Sequence, residues 1–174
     1  MNSVIKKPIE VNFESIKNVF FDFLDLPNWI LWDTLPEENN RTKLSKRPSH
    51  HKYRGVFDWQ NPENRLDFEQ VKDFYKQGNF SGIGLVITKD LNLICLDMDN
   101  CLDDNSKPSR LSQEVNDYLT KAFIEKSVSG NGLHFWFLEK GKSQNFSFEE
   151  YGSVEIFCSD RFVCVTGVEF TFGE

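Results

Sequence analysis

Three short stretches of this 174-residue chain bring together residue types that can do chemistry on a polyanion. The first is Leu93-Ile94-Cys95-Leu96-Asp97-Met98-Asp99-Asn100. A strand's period of two puts Asp97 and Asp99 on one face at its carboxyl end, with Leu96 and Met98 opposite. Two carboxylates that close repel unless a cation lies between them or one takes a proton. Hard oxygen donors on a rigid strand suit Mg²⁺ or Mn²⁺. Alone, the pair is better read as a strand end running into an acidic turn, since Asp103 and Asp104 follow.

The second stretch is Ser127-Val128-Ser129-Gly130-Asn131-Gly132-Leu133-His134-Phe135-Trp136. A glycine turn entering a strand frees backbone N–H groups to face an anion, and His134 can add a donor. Its plain reading is a tight turn followed by a histidine at the edge of the core. The third is Ser153-Val154-Glu155-Ile156-Phe157, then Arg161-Phe162-Val163-Cys164-Val165-Thr166-Gly167. Glu155 is a lone carboxylate in an apolar strand and needs a cation, either a metal or an arginine such as Arg161.

The elements that must position these residues can be read from periodicity. Phe13, Ile16, Phe20, Phe23 and Leu24 give a helix over 13–25 behind an Asn12 cap. Asn28–Trp32 reads as a strand, and 33–65, with Pro36, Pro48 and Pro62, as mostly loop. A capping box at Asp67 and Gln70 opens a helix over 67–77 that Gly78 ends. Strands Ile83–Thr88 and Leu93–Asp99 look like a hairpin turning at 89–92, and a third helix spans 111–124. Leu133–Leu138, Val154–Cys158 and Phe162–Thr166 complete a β-β-α-β-β-β order, an α+β sheet with a helix on one face.

Composition narrows the function classes. The 17 Phe and 4 Trp supply a core despite 39% hydrophobic residues. No apolar run spans a bilayer and no signal peptide opens the chain, so the expectation is a cytoplasmic protein without membrane contact. Cys95, Cys101, Cys158 and Cys164 form no C-x-x-C pair, which argues against a zinc site; Cys95, Cys158 and Cys164 read as core residues. The net charge of −7 disfavours nucleic acid, but its distribution does not. Residues 39–56 hold Arg41, Lys43, Lys46, Arg47, Lys52 and Arg54 with no acid, a strip that could follow a phosphate backbone or simply be a solvated loop.

Taken together, D-x-D, then S-G-N-G-x-H, then V-E-I-F with R-F-V-C-V-T-G, resemble the three motifs of the archaeo-eukaryotic primase superfamily. The likeness is to its primase-polymerase catalytic domains from phages, plasmids and other mobile elements. Upstream, Asn28-Trp29-Ile30-Leu31-Trp32 resembles the family's tryptophan strand, Lys46-Arg47-Pro48 its K-x-P element, and Ser81-Gly82-Ile83-Gly84 the strand before D-x-D. Arg47 stands where the family often has an apolar residue. The resemblance covers about residues 28 to 167, so residues 1–27 are expected to form an N-terminal helical extension and 28–174 the catalytic domain. Glu174 follows the third motif so closely that a fragment of a longer replication protein is expected.

The resemblance implies a primase-polymerase fold: an antiparallel or mixed sheet with an RRM-like catalytic half and a smaller N-terminal α/β portion. It implies a DNA primase/polymerase that makes or extends primers on single-stranded DNA from nucleoside triphosphates, possessing two Mg²⁺ or Mn²⁺ ions on Asp97, Asp99 and Glu155. Ser129, Gly130, Asn131, Gly132 and His134 would hold the nucleotide, with Lys46 and Arg161. Arg41, Lys43, Arg47, Lys52 and Arg54 would lie along the DNA, and a replicative helicase is an expected partner. Trp32 or Trp59 could stack bases or pack in the core. Two rivals remain. A haloacid-dehalogenase-type phosphatase would use Asp97 as nucleophile, but Cys101 replaces its usual threonine. A non-catalytic single-stranded-DNA-binding replication module is the other, although all three carboxylates are present.

Overall fold

A computed structural model describes residues 10–36, 44–55, 57–78, 80–142, 144–148 and 152–173. Among these residues the fold is α+β, with three α-helices and two sheets whose paired strands all run antiparallel. The strands are β1 (Trp29–Pro36), β2 (Leu44–Ser49), β3 (Gly82–Ile87), β4 (Leu93–Met98), β5 (Phe123–Lys126), β6 (Leu133–Leu138), β7 (Gln144–Phe148), β8 (Gly152–Phe157) and β9 (Arg161–Val165). One sheet has the order β2-β1-β3-β9, the other β5-β6-β4-β8-β7. No helix among the described residues is long and apolar enough to cross a membrane.

Helix α1 (Phe13–Val19) starts where Asn12 accepts a hydrogen bond from the Ser15 N–H at 3.1 Å. It is shorter than its apolar spacing suggests, because Phe21–Phe23 tighten into a 3₁₀ turn. Its Ile16 and the following Phe20 enter a core with Trp29, Leu31, Ile83, Leu85, Cys95 and Trp136, drawn from both sheets. The boundary expected after residue 27 therefore crosses this core. Helix α2 (Phe68–Lys76) has the expected capping box and buries Phe68 and Val71 in the same cluster. Helix α3 (Arg110–Tyr118) flanks a second cluster on the five-stranded sheet, built on Met98, Leu102, Ile124, Leu133, Phe135 and Val154.

Three expectations need correction, and one strand was not foreseen. Strand β2 lies within the stretch read as loop; Pro48 is tolerated there because β2 is an edge strand, where a missing N–H breaks no inner ladder. The segment 89–92 is no hairpin turn: β3 and β4 belong to different sheets, joined by the 3₁₀ turn Lys89–Leu91. The third helix stops at Tyr118, and Phe123–Lys126, partly read as its last turn, pairs with β6 instead. Strand β7 had no counterpart in the sequence reading. All four cysteines are buried thiols.

Two glycines separate conformation from crowding. Gly130 has φ +82° with open space where a Cβ would stand, whereas at Gly167 (φ +65°) a Cβ would lie 2.4 Å from the Asn12 carbonyl oxygen. Gly130→Ala should cost about 1 kcal/mol, the left-handed penalty alone. Gly167→Ala should cost about 3 kcal/mol, because backbone must also move. Urea unfolding of the two variants checks the difference; equal losses would contradict the packing of α1 against the end of β9.

Candidate active site

Strand register assembles the site. Glu125 on β5 lies opposite His134 on β6, His134 opposite Asp97 on β4, and Asp97 opposite Glu155 on β8. Directly opposed residues share a face of the sheet, so four strands contribute one polar row across it. Asp99 follows just past β4; its N–H donates to the Ser153 carbonyl, and Ser153 Oγ donates to its Oδ2, both at 3.0 Å. The D-x-D, glycine-turn and V-E-I-F motifs thus meet at one end of the sheet.

The row grades from buried to open. Glu125 is 0% exposed and His134 2%. Glu125 accepts from His134 Nδ1 (2.9 Å) and Trp136 Nε1 (3.0 Å) on one oxygen, and from the Thr166 (3.0 Å) and Gly167 (2.6 Å) N–H groups on the other. His134 Nε2 faces Asp97 Oδ1 at 3.6 Å, too far for a hydrogen bond. Asp97 Oδ1 is a buried oxygen with no hydrogen-bond partner among the described residues. Burial pushes the Asp97 carboxyl above its usual range, with the charge of Asp99 adding to the rise and His134 and Lys46 opposing it. Burial lowers the His134 pKa, but the Glu125 hydrogen bond and Asp97 outweigh it, and the net direction is upward.

The glycine turn is fixed beside this row. A Cβ on Gly132 would meet the Met98 carbonyl and Ser127 Oγ at 2.8 Å, so only glycine lets the turn sit against the end of β4. Asn131 Nδ2 donates to Asn100 Oδ1 at 2.8 Å, and Ser129 bonds to both Ser127 and Asn131 within the turn. Lys46, exposed on β2, is close enough for its charge to act on Asp97, His134 and Cys164.

Other expected residues lie apart. Arg161 is exposed at the start of β9, opposite Ile87, at the end of the strands away from the polar row. Near that end a 530 Å³ cleft lined by Lys89, Asn92, Lys140, Lys142 and Ser159 shares no residue with the row. Of the basic strip, Arg41 and Lys43 fall outside the described residues. Arg54 pairs with buried Asp33 at 2.9 Å, Arg47 Nε donates to Ser45 Oγ, and Lys52 is exposed. Trp32 is a core residue, 1% exposed, whose Nε1 donates to the Ile83 carbonyl. Trp59 packs edge-on against Phe162.

Sequence reasoning missed Glu125. Its signal was available: Phe123-Ile124-Glu125-Lys126 leads into the same glycine turn that His134 follows, and pairing Lys126 with Leu133 sets Glu125 beside His134. The helix expected over 111–124 takes in Phe123 and Ile124 and so hides the strand that carries Glu125.

No arrangement of three or more His, Cys, Asp or Glu side chains forms a ready metal cage among the described residues. What fits a hard cation is the chemistry of Asp97: a desolvated carboxylate, one oxygen unpartnered, beside Asp99 and opposite Glu155.

The fold and the acidic row define an α+β protein with its polar groups gathered at one end of an antiparallel sheet. No protein-family model matches the chain. It is 25% identical over 152 residues to the DNA primase-polymerase of Nitratiruptor phage NrS-1, an alignment taking in 82% of this chain and 19% of that protein. The chain is thus a distant relative of a primase-polymerase and spans 19% of that relative's length.

The unpartnered oxygen gives a stability test. Because the Asp97 pKa is raised on folding, its ionised form opposes the fold, and the opposition fades as pH falls through that raised value. Asp97→Asn should therefore be more stable than the wild type at pH 7, with the gap closing as the pH is lowered. Urea midpoints across pH 4–8 check this; a less stable variant at pH 7 would contradict the desolvated, unpaired carboxylate.

Proposed function

We propose that this chain is the catalytic domain of a DNA primase-polymerase, adding nucleotides to a primer strand on a single-stranded DNA template during replication of a phage, plasmid or other mobile element. The observation that carries this reading is the register setting Asp97 opposite Glu155, with Asp99 at the strand end and an unpartnered Asp97 oxygen between them and His134. The distant likeness to a phage DNA primase-polymerase supports it.

In this reading Asp97, Asp99 and Glu155 hold Mg²⁺ or Mn²⁺. The bound ions would neutralise triphosphate charge and make the primer hydroxyl a better nucleophile. The chain's own residues do the positioning. Lys46 brings a positive charge near Asp97, where it can meet a triphosphate. Ser129 and Asn131, with the backbone of Gly130 and Gly132, shape an anion-facing turn at the end of β4. Holding the reactants in line accounts for most of the rate in phosphoryl transfer. Arg47 and Lys52 follow the template backbone, which makes binding salt-dependent; Arg41 and Lys43 belong to the same basic stretch of sequence. Arg54 is mostly committed to Asp33, and Arg161 stands outside this set. A replicative helicase as partner belongs to the proposal that the chain is part of a longer replication protein.

The test is incorporation of labelled nucleotides on single-stranded DNA, with and without primer, in Mg²⁺ and in Mn²⁺. Product without primer is expected of a primase, and product only with primer of a polymerase. Asp97→Ala/Asp99→Ala should lose roughly a thousandfold or more in rate, on the scale of removing a principal electrostatic group. No product from the folded wild type, with single-stranded DNA still bound independently of metal, would replace this reading with a binding module. Phosphate release from p-nitrophenyl phosphate without template would replace it with the phosphatase.

A further inference from the structure

Glu125 has no part in the chemistry above, yet its carboxylate is the point where three elements converge. It is wholly buried, and an ionised carboxylate at that depth is costly unless its lone pairs are filled. They are filled from both sides. Oε1 takes the His134 and Trp136 ring N–H groups from β6, and Oε2 takes the Thr166 and Gly167 main-chain N–H groups that follow β9. The Thr166 hydroxyl lies closer to the Lys126 carbonyl (2.7 Å) than to Oε2 (3.2 Å), so its proton serves Lys126.

This arrangement admits only a carboxylate of glutamate length. The Trp136 indole and the two main-chain N–H groups can only donate, and between them they reach both oxygens, so both oxygens must accept. A glutamine would turn its NH₂ toward one pair of donors, and an aspartate is one methylene short. The same logic sets the histidine tautomer: facing an acceptor-only group, Nδ1 must carry the proton. With Nδ1 anchored, the ring cannot turn, and Nε2 is held toward Asp97 Oδ1. The ring is 2% exposed, so its free Nε2 edge, turned toward the acidic row, is the part left to act on the site.

We propose that Glu125 is a positioning residue for nucleotidyl transfer. Clamped by the Thr166-Gly167 backbone and Trp136, it fixes the His134 ring with its proton on Nδ1 and its Nε2 edge against Asp97, and it acts on the reaction through that ring. The proposal rests on the reading of Asp97 as a catalytic carboxylate. It also gives the T-G ending of the third motif a task inside the protein: its backbone holds Glu125.

The experiment measures incorporation at saturating and limiting nucleotide for the wild type, Glu125→Gln, His134→Ala and the double variant, each confirmed folded. Glu125→Gln should lower kcat about tenfold to a hundredfold, the usual loss when a supporting hydrogen bond behind a reactive group is removed. The double variant should be no slower than the slower single variant, because the two side chains act as one unit. An unchanged kcat in Glu125→Gln, or a double variant slowed by the product of the two losses, overturns this proposal alone. No incorporation by the folded wild type overturns the functional reading, and this proposal with it. Should Glu125→Gln fail to fold, the imidazole nitrogen-15 signals of wild-type His134 decide. A proton held on Nδ1 is the expected result, and a ring protonated only on Nε2 overturns the clamp.

Discussion

The register of β4 against its neighbours is the constraint on which the site depends. Asp97 meets His134 on one side and Glu155 on the other only in the pairing that also sets Met98 beside Leu133 and Val154 in the core below. A slip of one residue would turn the carboxylates into that core and Met98 and Leu96 out of it. Apolar packing under the sheet therefore decides where the charges stand. The hydrophobic effect, which has no direction of its own, acquires one through the two-residue alternation of the strands.

Burial along the row then differentiates groups that would be equivalent in water. Glu125 is surrounded by donors in the interior; Asp97, one strand beyond His134, is desolvated, and its Oδ1 meets no donor among the described residues. Asp99 stands at the exposed end, its geometry set by Ser153. Three carboxylates on one face thus have three different environments, set by how far each is from solvent and how many N–H groups reach it. The unmet demand is concentrated at Asp97, where chemistry needs an oxygen that is still available.

Much of this was legible where a period and a cap agree. Helix α2 was marked by the Asp67–Gln70 box, and the strands carrying Asp97, His134 and Glu155 by alternation next to Gly-rich or acidic turns. Strand β2 was not legible, because Lys46-Arg47-Pro48 reads as loop unless the strand is known to sit at an edge. Glu125 was overlooked because Leu119, Ala122 and Phe123 fit a helical stripe as well as an approach to a strand, and it is the pairing with β6 that decides between them. The apparent hairpin after β3 failed for a different reason: a short connection fixes proximity but not which sheet the next strand joins. Local pattern located the acidic residues, while the partners that tune them came from contacts distant in sequence.

Among the described residues the chain passes between the two sheets three times, and the positions of these passages have a mechanical meaning. Two of them, from β3 to β4 and from β8 to β9, lie at the end remote from the polar row. The third follows β9 at the row's own end, where Thr166 and Gly167 lead into a tail bonded to β5 through Val168 and Phe170. Without it the sheets would resemble a pair of jaws hinged at the back. With it, spreading the front requires pulling the tail's backbone N–H groups off a buried carboxylate. Lys46 on one jaw and Asp97 on the other are thereby held at a set separation, and the molecule resists opening in the one direction that would pull its cation away from its acids.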